Sequence, residues 1–290
     1  MILWPSDYSL AHTLAAPVER AGVGLHSGAS CRVRLQPSSR EGYWVGWLDS
    51  PREDLQRLSP SQVVDTRLCT CLQLGSRRLA TVEHLLAALA GTGVSQAELW
   101  LEGEEIPLLD GSALPWVEAI AEAGLRPLGP RSPFLLTEPL VRQQGESFVV
   151  ALPSPSPRLA AAVDYPQAAI GRQTFSLDLT PAAFVAELAP ARTFGFLEQV
   201  EQLRASGLIR GGALENALVC DGERWLNPPL RYPEEPVRHK LLDLLGDLAL
   251  VGIPQAQVFA YRGSHGLHTT LAAALEARPE RAPSLATACP

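Results

Sequence analysis

Residues 237–247 read Val-Arg-His-Lys-Leu-Leu-Asp-Leu-Leu-Gly-Asp, and this stretch decides the fold because it places polar groups on one face of an apolar helix. His239, Asp243 and Asp247 are four residues apart, so they lie on the same face of a helix. Leucines occupy most of the positions between them. Burying such groups without partners is costly. The pattern therefore predicts a helix whose polar face is turned towards the protein interior, where a metal ion could compensate all three groups.

The spacing of His239 and Asp243 suits two metal ligands on successive helical turns. His84, in the first half of the chain, adds a third ligand. Three protein ligands leave an open coordination position, which is typical of catalytic rather than structural zinc sites. The alternative interpretation is a solvated helix on which Arg238 and Lys240 form ion pairs with Asp243, and the intervening leucines argue against it.

Three other segments carry residue types that suit hydrolysis. Glu83 precedes His84, and a carboxylate beside a metal-binding imidazole can take a proton from a bound water. His265 lies in the sequence Arg-Gly-Ser-His-Gly, which predicts a loop, and is a candidate general acid with Asp247 as its orienting partner. The Thr193 hydroxyl could donate to a developing oxyanion. In isolation, however, a helix N-cap is the favoured interpretation of that threonine.

The composition describes a globular protein. The chain has 290 residues, of which 46% are hydrophobic and 19% charged, enough for one large domain or two of ordinary size. A net charge of −7 argues against a general nucleic-acid binder, which needs a basic face. No run of about 18 apolar residues predicts a membrane span. The first residues lack the basic flank and apolar region of a signal peptide, so we expect a cytoplasmic protein.

The five cysteines predict reduced thiols. Their number is odd and their spacing forms no disulfide framework. Cys69 and Cys71 form a C-x-C pair that could bind zinc, but no second pair accompanies it, so buried thiols are favoured. The other three are Cys31, Cys220 and Cys289.

Hydrophobic periodicity predicts strands and helices in both halves of the chain. In the first half we expect strands at 31–36, 43–47 and 97–102, and helices at 82–90 (capped by Thr81) and 114–123. In the second half we expect strands at 134–141, 147–152, 159–165 and 256–261, and helices at 181–188, 197–204, 236–250 and from about 267. The Pro/Gly-dense stretch 124–133 is the best candidate for a linker. An α+β protein with domains at 1–126 and 134–280 follows, each a sheet covered by helices on one face.

Eight segments occur in an order that is similar to one known family. They are GVGLHSG (22–28), DTRLCTC (65–71), TVEHLLAALAGTG (81–93), EIPLLDGSA (105–113), ARTFGF (191–196), GGALENALV (211–219), residues 230–247 and the segment around His265. Together they resemble the UDP-3-O-acyl-N-acetylglucosamine deacetylases, the zinc amidases of lipid A synthesis. The eight segments span nearly the entire chain, so this resemblance is far more specific than any single motif.

The resemblance implies two α+β domains with a zinc site in the cleft between them. By position it makes His84, His239 and Asp243 the zinc ligands. Fe(II) also suits two histidines and an aspartate. It implies an acylated UDP-amino-sugar as substrate, and we expect no nucleic-acid partner, no transmembrane segment and a monomer.

The resemblance also implies roles for the neighbouring polar residues. It makes Glu83 the general base and His265 the general acid or cationic partner, steadied by Asp247. Thr193 would polarise the carbonyl oxygen, and Lys240 would line the same site. The family usually has glycine directly before the last catalytic histidine, whereas this chain has Ser264, so we expect a different loop shape there.

Substrate contacts follow from the same resemblance. Residues 196–219 match an inserted β-α-β element that forms an apolar passage for the acyl chain. Its lining would comprise Phe196, Val200, Leu203, Ile209, Ala213, Leu214 and Val219, although their periodicity fits plain core equally well. Tyr165 matches an aromatic position near the uridine, Phe194 is expected at the substrate, and Arg262 is a candidate phosphate contact.

Two other functions fit some of these features. One is a metal amidase or esterase with the same ligands and another substrate, which the apolar insert argues against. The other is a non-enzymatic binding module for a nucleotide sugar or a lipid, with a structural metal. Such a closed site needs four protein ligands, and the sequence offers three convincing ones.

Overall fold

The computed structural model describes residues 3–227 and 229–278 of the chain. Cys289 and the last two residues of the predicted second domain lie outside the described residues. Cys31, Cys69, Cys71 and Cys220 are buried free thiols, as predicted.

The described residues form seventeen strands and six α-helices. The strands are β1 Leu10–Leu14, β2 Val18–Val23, β3 Ser30–Pro37, β4 Gly42–Trp47, β5 Gln56–Arg57, β6 Val63–Asp65, β7 Cys71–Leu74, β8 Arg77–Leu79, β9 Gln96–Glu102, β10 Leu125–Pro130, β11 Leu140–Gln144, β12 Ser147–Pro153, β13 Arg158–Asp164, β14 Arg172–Asp178, β15 Phe194–Phe196, β16 Leu218–Cys220 and β17 Ala256–Tyr261. The helices are α1 Glu83–Gly91, α2 Leu114–Ala123, α3 Pro181–Glu187, α4 Leu197–Ala205, α5 Glu235–Leu248 and α6 His265–Glu276. Short 3₁₀ helices occur at Arg52–Asp54 and Pro60–Gln62.

Two five-stranded sheets share one arrangement. Their strand orders are β2-β3-β9-β4-β5 and β11-β12-β17-β13-β14. In each sheet the central strand, β9 or β17, is antiparallel to one neighbour and parallel to the other. The two halves therefore repeat a topology, although their sequences show no repeat. A topology can persist without sequence identity because it depends on the pattern of apolar and polar positions more than on particular side chains.

Helices α1 and α5 pack against each other and bring the two halves together. Helix α1 also contacts α2, and α5 contacts α6, β13 and β14. Every residue of α1 is buried, and a single hydrophobic core cluster contains residues of both large sheets. The prediction of an α+β protein with sheets layered against helices is confirmed. The domain boundaries stay a prediction.

Gly246 allows the close approach of α5 to α1. A Cβ atom at this position would overlap the main-chain carbonyl oxygen of Glu83 and would lie 2.7 Å from the carbonyl carbon. Real Cβ atoms essentially never come that close to another heavy atom. Glycine at position 246 is therefore required for the observed distance between the two helices.

The structure corrects several predicted elements. The stretch predicted as a linker, 124–133, contains β10, which pairs antiparallel with β1. Its prolines are tolerated because both strands of this two-stranded sheet are edge strands. Of the strand predicted at 134–141, only its last two residues belong to β11, and Leu135 forms an isolated bridge. Strand β14 and the small sheet β6-β7-β8 were not predicted.

Two predicted helix starts were also wrong. Thr81 does not cap α1: it has a φ of 60° and donates its hydroxyl to Glu105, while Val82 is the N-cap. Helix α6 begins at His265 rather than near Leu267, and the Ser264 hydroxyl accepts from the Leu267 amide as its cap. His265 therefore lies on the first turn of a helix, not on a loop.

Candidate active site

The start of α1 brings Glu83 and His84 into the protein interior. The exposed fraction of Glu83 is 2% and that of His84 is 5%. The left-handed backbone at Thr81 turns the chain sharply before the helix, and the hydrogen bond from Thr81 to the buried Glu105 holds this turn. Adjacent helical residues point about 100° apart, so these two side chains can serve different functions at one site.

The polar face of α5 is buried, as its sequence pattern predicts. His239, Asp243 and Asp247 are at most 2% exposed. Arg238 is also buried, and its guanidinium lies over the rings of Phe175 and Tyr232 instead of pairing with Asp243. The alternative is therefore wrong in expecting a solvated face and a pair between Arg238 and Asp243, although Lys240 does pair with Asp243.

His84, His239 and Asp243 form a group with the geometry of a metal site. Their ligand atoms lie within 4.8 Å of one another. Asp243 Oδ1 is 3.3 Å from His239 Nε2 and 3.7 Å from His84 Nε2. His239 Nδ1 lies 3.0 Å from the carbonyl oxygen of Ala191, which can only accept. The hydrogen of the imidazole is therefore on Nδ1, and its bare Nε2 faces a carboxylate oxygen, an arrangement that a cation would compensate.

Charge and burial set the pKa values in this group. Burial lowers the pKa of His239 to about 3, so its imidazole is neutral, as a metal ligand must be. Burial alone would raise the pKa of Asp243, but the ammonium of Lys240 beside it holds that pKa well below its usual range. Lys240 Nζ donates to Asp243 Oδ2 at 2.7 Å. The carboxylate is thus ionised and presents its other oxygen to the two histidines.

Asp247 connects a second group of buried residues. Its Oδ2 lies 2.9 Å from His265 Nδ1 and 3.0 Å from His268 Nδ1. Its Oδ1 accepts the hydroxyl of Thr70 at 2.5 Å. With Nδ1 of His265 occupied by Asp247, the other ring nitrogen, Nε2, points to Glu83, whose Oε1 is 3.8 Å away. The structure therefore brings the predicted base, the predicted acid and its orienting carboxylate together.

The pKa values of Glu83 and His265 suit an acid–base pair. Burial raises the pKa of Glu83. Burial would lower the pKa of His265, but the carboxylates of Asp247 and Glu83 raise it to about 9. By contrast, burial lowers the pKa of His268, so of the two histidines on Asp247 only His265 is positively charged at neutral pH.

A cavity of about 500 Å³ adjoins both groups and contains most of the predicted substrate residues. Strands β15 and β16 pair in parallel around α4, so the predicted β-α-β element is present. The cavity lining includes the predicted residues Tyr165, Thr193, Phe194, Phe196, Val200, Leu203, Ile209, Ala213, Leu214, Val219 and Lys240. The rings of Tyr165, Phe194 and Phe196 contact one another. Apolar walls beside a few polar groups are typical of a ligand site.

Arg262 does not line this cavity. Its guanidinium forms ion pairs with Glu146 and Asp164. Thr193 does line the cavity, and it precedes β15 rather than capping a helix. Its amide donates to the Gly111 carbonyl at 2.7 Å, which ties this segment to the first half of the chain.

Sequence reasoning missed Thr70 and His268. His268 follows His265 by three residues, a helical spacing that would have suggested a shared partner had the start of α6 been placed correctly. Thr70 lies between Cys69 and Cys71, and the C-x-C pattern that they form indicates metal binding rather than a role for the threonine. Its partner Asp247 is 177 residues away in the chain, and no local signal reports such a contact.

Comparison with known proteins gives the family. Residues 11–277 match the model of the UDP-3-O-acyl N-acetylglycosamine deacetylase family. The chain belongs to this family. A UDP-3-O-acyl-N-acetylglucosamine deacetylase of Synechocystis sp. is 48% identical over 268 residues, covering 91% of this chain and 97% of the relative. One from Thermosynechococcus vestitus is 49% identical over 266 residues, covering 91% and 93%.

More distant members of the deacetylase family come from plants. A relative from Arabidopsis thaliana, named probable UDP-3-O-acyl-N-acetylglucosamine deacetylase 1, mitochondrial, is 37% identical over 289 residues, covering 91% of this chain and 87% of the relative. The family match spans all the residues of the candidate site. In the described part of the chain, no helix combines the length and the apolar character needed to cross a membrane.

Proposed function

We propose that this protein is a zinc-dependent amidase that removes the N-acetyl group of UDP-3-O-acyl-N-acetylglucosamine, a step in lipid A biosynthesis. The observation that carries the proposal is the position of Glu83 and His265. They face each other at 3.8 Å, beside the His84, His239 and Asp243 group and next to an apolar cavity. The names of the relatives supply the substrate.

His84, His239 and Asp243 would hold the metal, since all three are buried and their ligand atoms converge. When bound there, zinc would lower the pKa of a coordinated water and polarise the acetamide carbonyl. Fe(II) suits the same donor set. Lys240 supports the site from the side by neutralising Asp243 Oδ2, and its ammonium also lies 5.7 Å from the centre of the Phe194 ring.

Glu83 and His265 divide the proton transfers of amide hydrolysis. Glu83 takes a proton from the attacking water as the water oxygen bonds to the acetyl carbon, and its raised pKa strengthens it as a base. The Thr193 hydroxyl donates to the oxyanion that develops on the carbonyl oxygen. His265 gives the proton on Nε2 to the nitrogen as the carbon–nitrogen bond breaks. Acetate and the free 2-amino sugar are the products.

The cavity lining explains how an acylated substrate would be positioned. Most side chains that the β15-α4-β16 element contributes to the lining are apolar and would bind the acyl chain. The ring cluster of Tyr165, Phe194 and Phe196 offers flat surfaces to the nucleotide sugar. Arg262 as a phosphate contact would require it to leave Glu146 and Asp164. A cytoplasmic location, a monomeric state and domains at 1–126 and 134–280 remain predictions from the sequence.

Acetate release from the acyl UDP-sugar tests the proposal directly. Glu83→Ala should keep its metal and lose about 10²- to 10⁴-fold in kcat, because it removes only the base. His239→Ala should lose both metal and activity. Near-normal turnover by Glu83→Ala would contradict the assignment. Equal cleavage of an amide without acyl chain or nucleotide would favour an amidase with another substrate, and binding without any acetate release would favour a binding module.

A further inference from the structure

Thr70 contacts two buried carboxylates of the candidate site, Glu83 and Asp247. It is fully buried and directly precedes β7. Its main-chain amide donates to Glu83 Oε2 at 3.1 Å, and its hydroxyl donates to Asp247 Oδ1 at 2.5 Å. One residue thus connects the proposed base with the carboxylate that orients the proposed acid.

The hydroxyl of Thr70 determines which oxygen of Asp247 faces the histidines. Oδ2 is shared by His265 Nδ1 and His268 Nδ1, and Oδ1 has the Thr70 hydroxyl as its hydrogen-bond donor. Asp247 is 0% exposed, so an oxygen without a donor would be left unsatisfied in the interior, which is costly. The terminal torsion of an aspartate is broad, and without this bond the carboxylate can turn away from His265.

We propose that Thr70 is a positioning residue for the reaction, which rests on the proposed function. Its amide fixes Glu83, and its hydroxyl fixes Asp247 so that His265 Nε2 points to the reacting atoms. Thr70 is not one of the grouped metal-site residues and does not itself line the cavity; it touches the lining only through Glu83. Its contribution should therefore appear in kcat and not in metal content or KM.

The first test replaces the hydroxyl while keeping the shape and the amide. Thr70→Val should lower kcat by about 10- to 100-fold, the usual effect of losing an outer hydrogen-bond partner of an active site. Thr70→Ser should restore most of the loss. The matched control is Thr92→Val, because Thr92 is equally buried but its hydroxyl donates to Ala88 and Leu89 carbonyls at the far end of α1. This control should keep its kcat.

A double-mutant cycle separates positioning from general packing. If Thr70 acts through Asp247, Thr70→Val should have no further effect on kcat in an Asp247→Ala background. Thr70→Ala also removes the hydroxyl and can replace Thr70→Val in these tests if the valine variant does not fold.

Three results would overturn the inference. They are a wild-type kcat in folded Thr70→Val, a decrease in kcat by the same factor with Asp247 and with Ala at position 247, or failure of Thr70→Ser to restore activity. An inactive wild type would instead count against the proposed function itself.

Discussion

Gly246→Ala is the sharpest test of how the site is assembled. A new Cβ at position 246 would overlap the Glu83 carbonyl oxygen and lie 2.7 Å from its carbon and 2.9 Å from its Cα. Helices α1 and α5 would have to separate by about 1 Å to restore carbon–carbon distances of about 3.5–4.0 Å. The backbone of a helix cannot rotate out of the way as the end of a side chain can.

The separation of the two helices should affect activity more than stability. Overpacking lowers the free energy of unfolding by about 1–3 kcal/mol. Replacing a helical glycine by alanine raises it by about 1 kcal/mol. The free energy of unfolding should therefore fall by no more than about 2 kcal/mol. Activity should fall further, because Glu83 and His84 lie on α1 whereas His239, Asp243 and Asp247 lie on α5. A displacement of about 1 Å between reacting groups can cost about 10²-fold in rate.

The assay compares kcat for acetate release with thermal unfolding of the same variants. Gly91→Ala is the matched control, since its Cβ would overlap the Phe184 ring at the other end of α1. We expect that variant to lose stability and keep its kcat. A Gly246→Ala protein that is more stable than wild type and has near-normal kcat would refute the close-approach argument.

Two further predictions concern the metal and the pH dependence. Dialysis against a chelator should abolish acetate release and Zn²⁺ should restore it in the wild type but not in His239→Ala; full activity of metal-free protein would contradict the metal site. In the proposed mechanism, activity requires ionised Glu83, whose pKa is raised by burial, and protonated His265, whose pKa is raised to about 9 by Asp247 and Glu83. The pH–rate profile should therefore rise on the acid side as Glu83 loses its proton and fall on the alkaline side near pH 9 as His265 loses its own. His265→Gln should lack the alkaline limb, and an unchanged limb would assign it to another group.

The sequence predicted those parts of the site that depend on local spacing. His239, Asp243 and Asp247 could be grouped because four residues on a helix fix their relative positions whatever the rest of the fold does. The roles of Glu83 and His265 needed the family resemblance, since adjacent or isolated residues carry little information. Helix α2 and strand β17 were predicted with the bounds that the structure has, because both have strong apolar periodicity and clear ends.

Contacts between residues far apart in the chain could not be predicted from the sequence. The pairing of β10 with β1 joins residues more than one hundred positions apart, and the Pro/Gly content of 124–133 indicated a linker instead. Thr70 is a comparable case, because only the tertiary structure places its hydroxyl against Asp247, 177 residues away in the chain. The role of Gly246 could not be predicted either, because a glycine within a helical pattern does not show which other element packs closely against it.

The shared topology of the two sheets has a consequence for folding. The half with β9 would supply one metal ligand, His84, and the half with β17 would supply two, His239 and Asp243. A metal at this site would bind only when α1 and α5 are packed together. Its binding free energy would therefore stabilise the state in which the two halves are packed over the state in which they are apart. At a free metal concentration of a thousand times Kd, this linkage amounts to about 4 kcal/mol. The cation would then act as a cross-link between the two halves. Protein without the metal should separate at the contact between α1 and α5 more readily than protein that contains it.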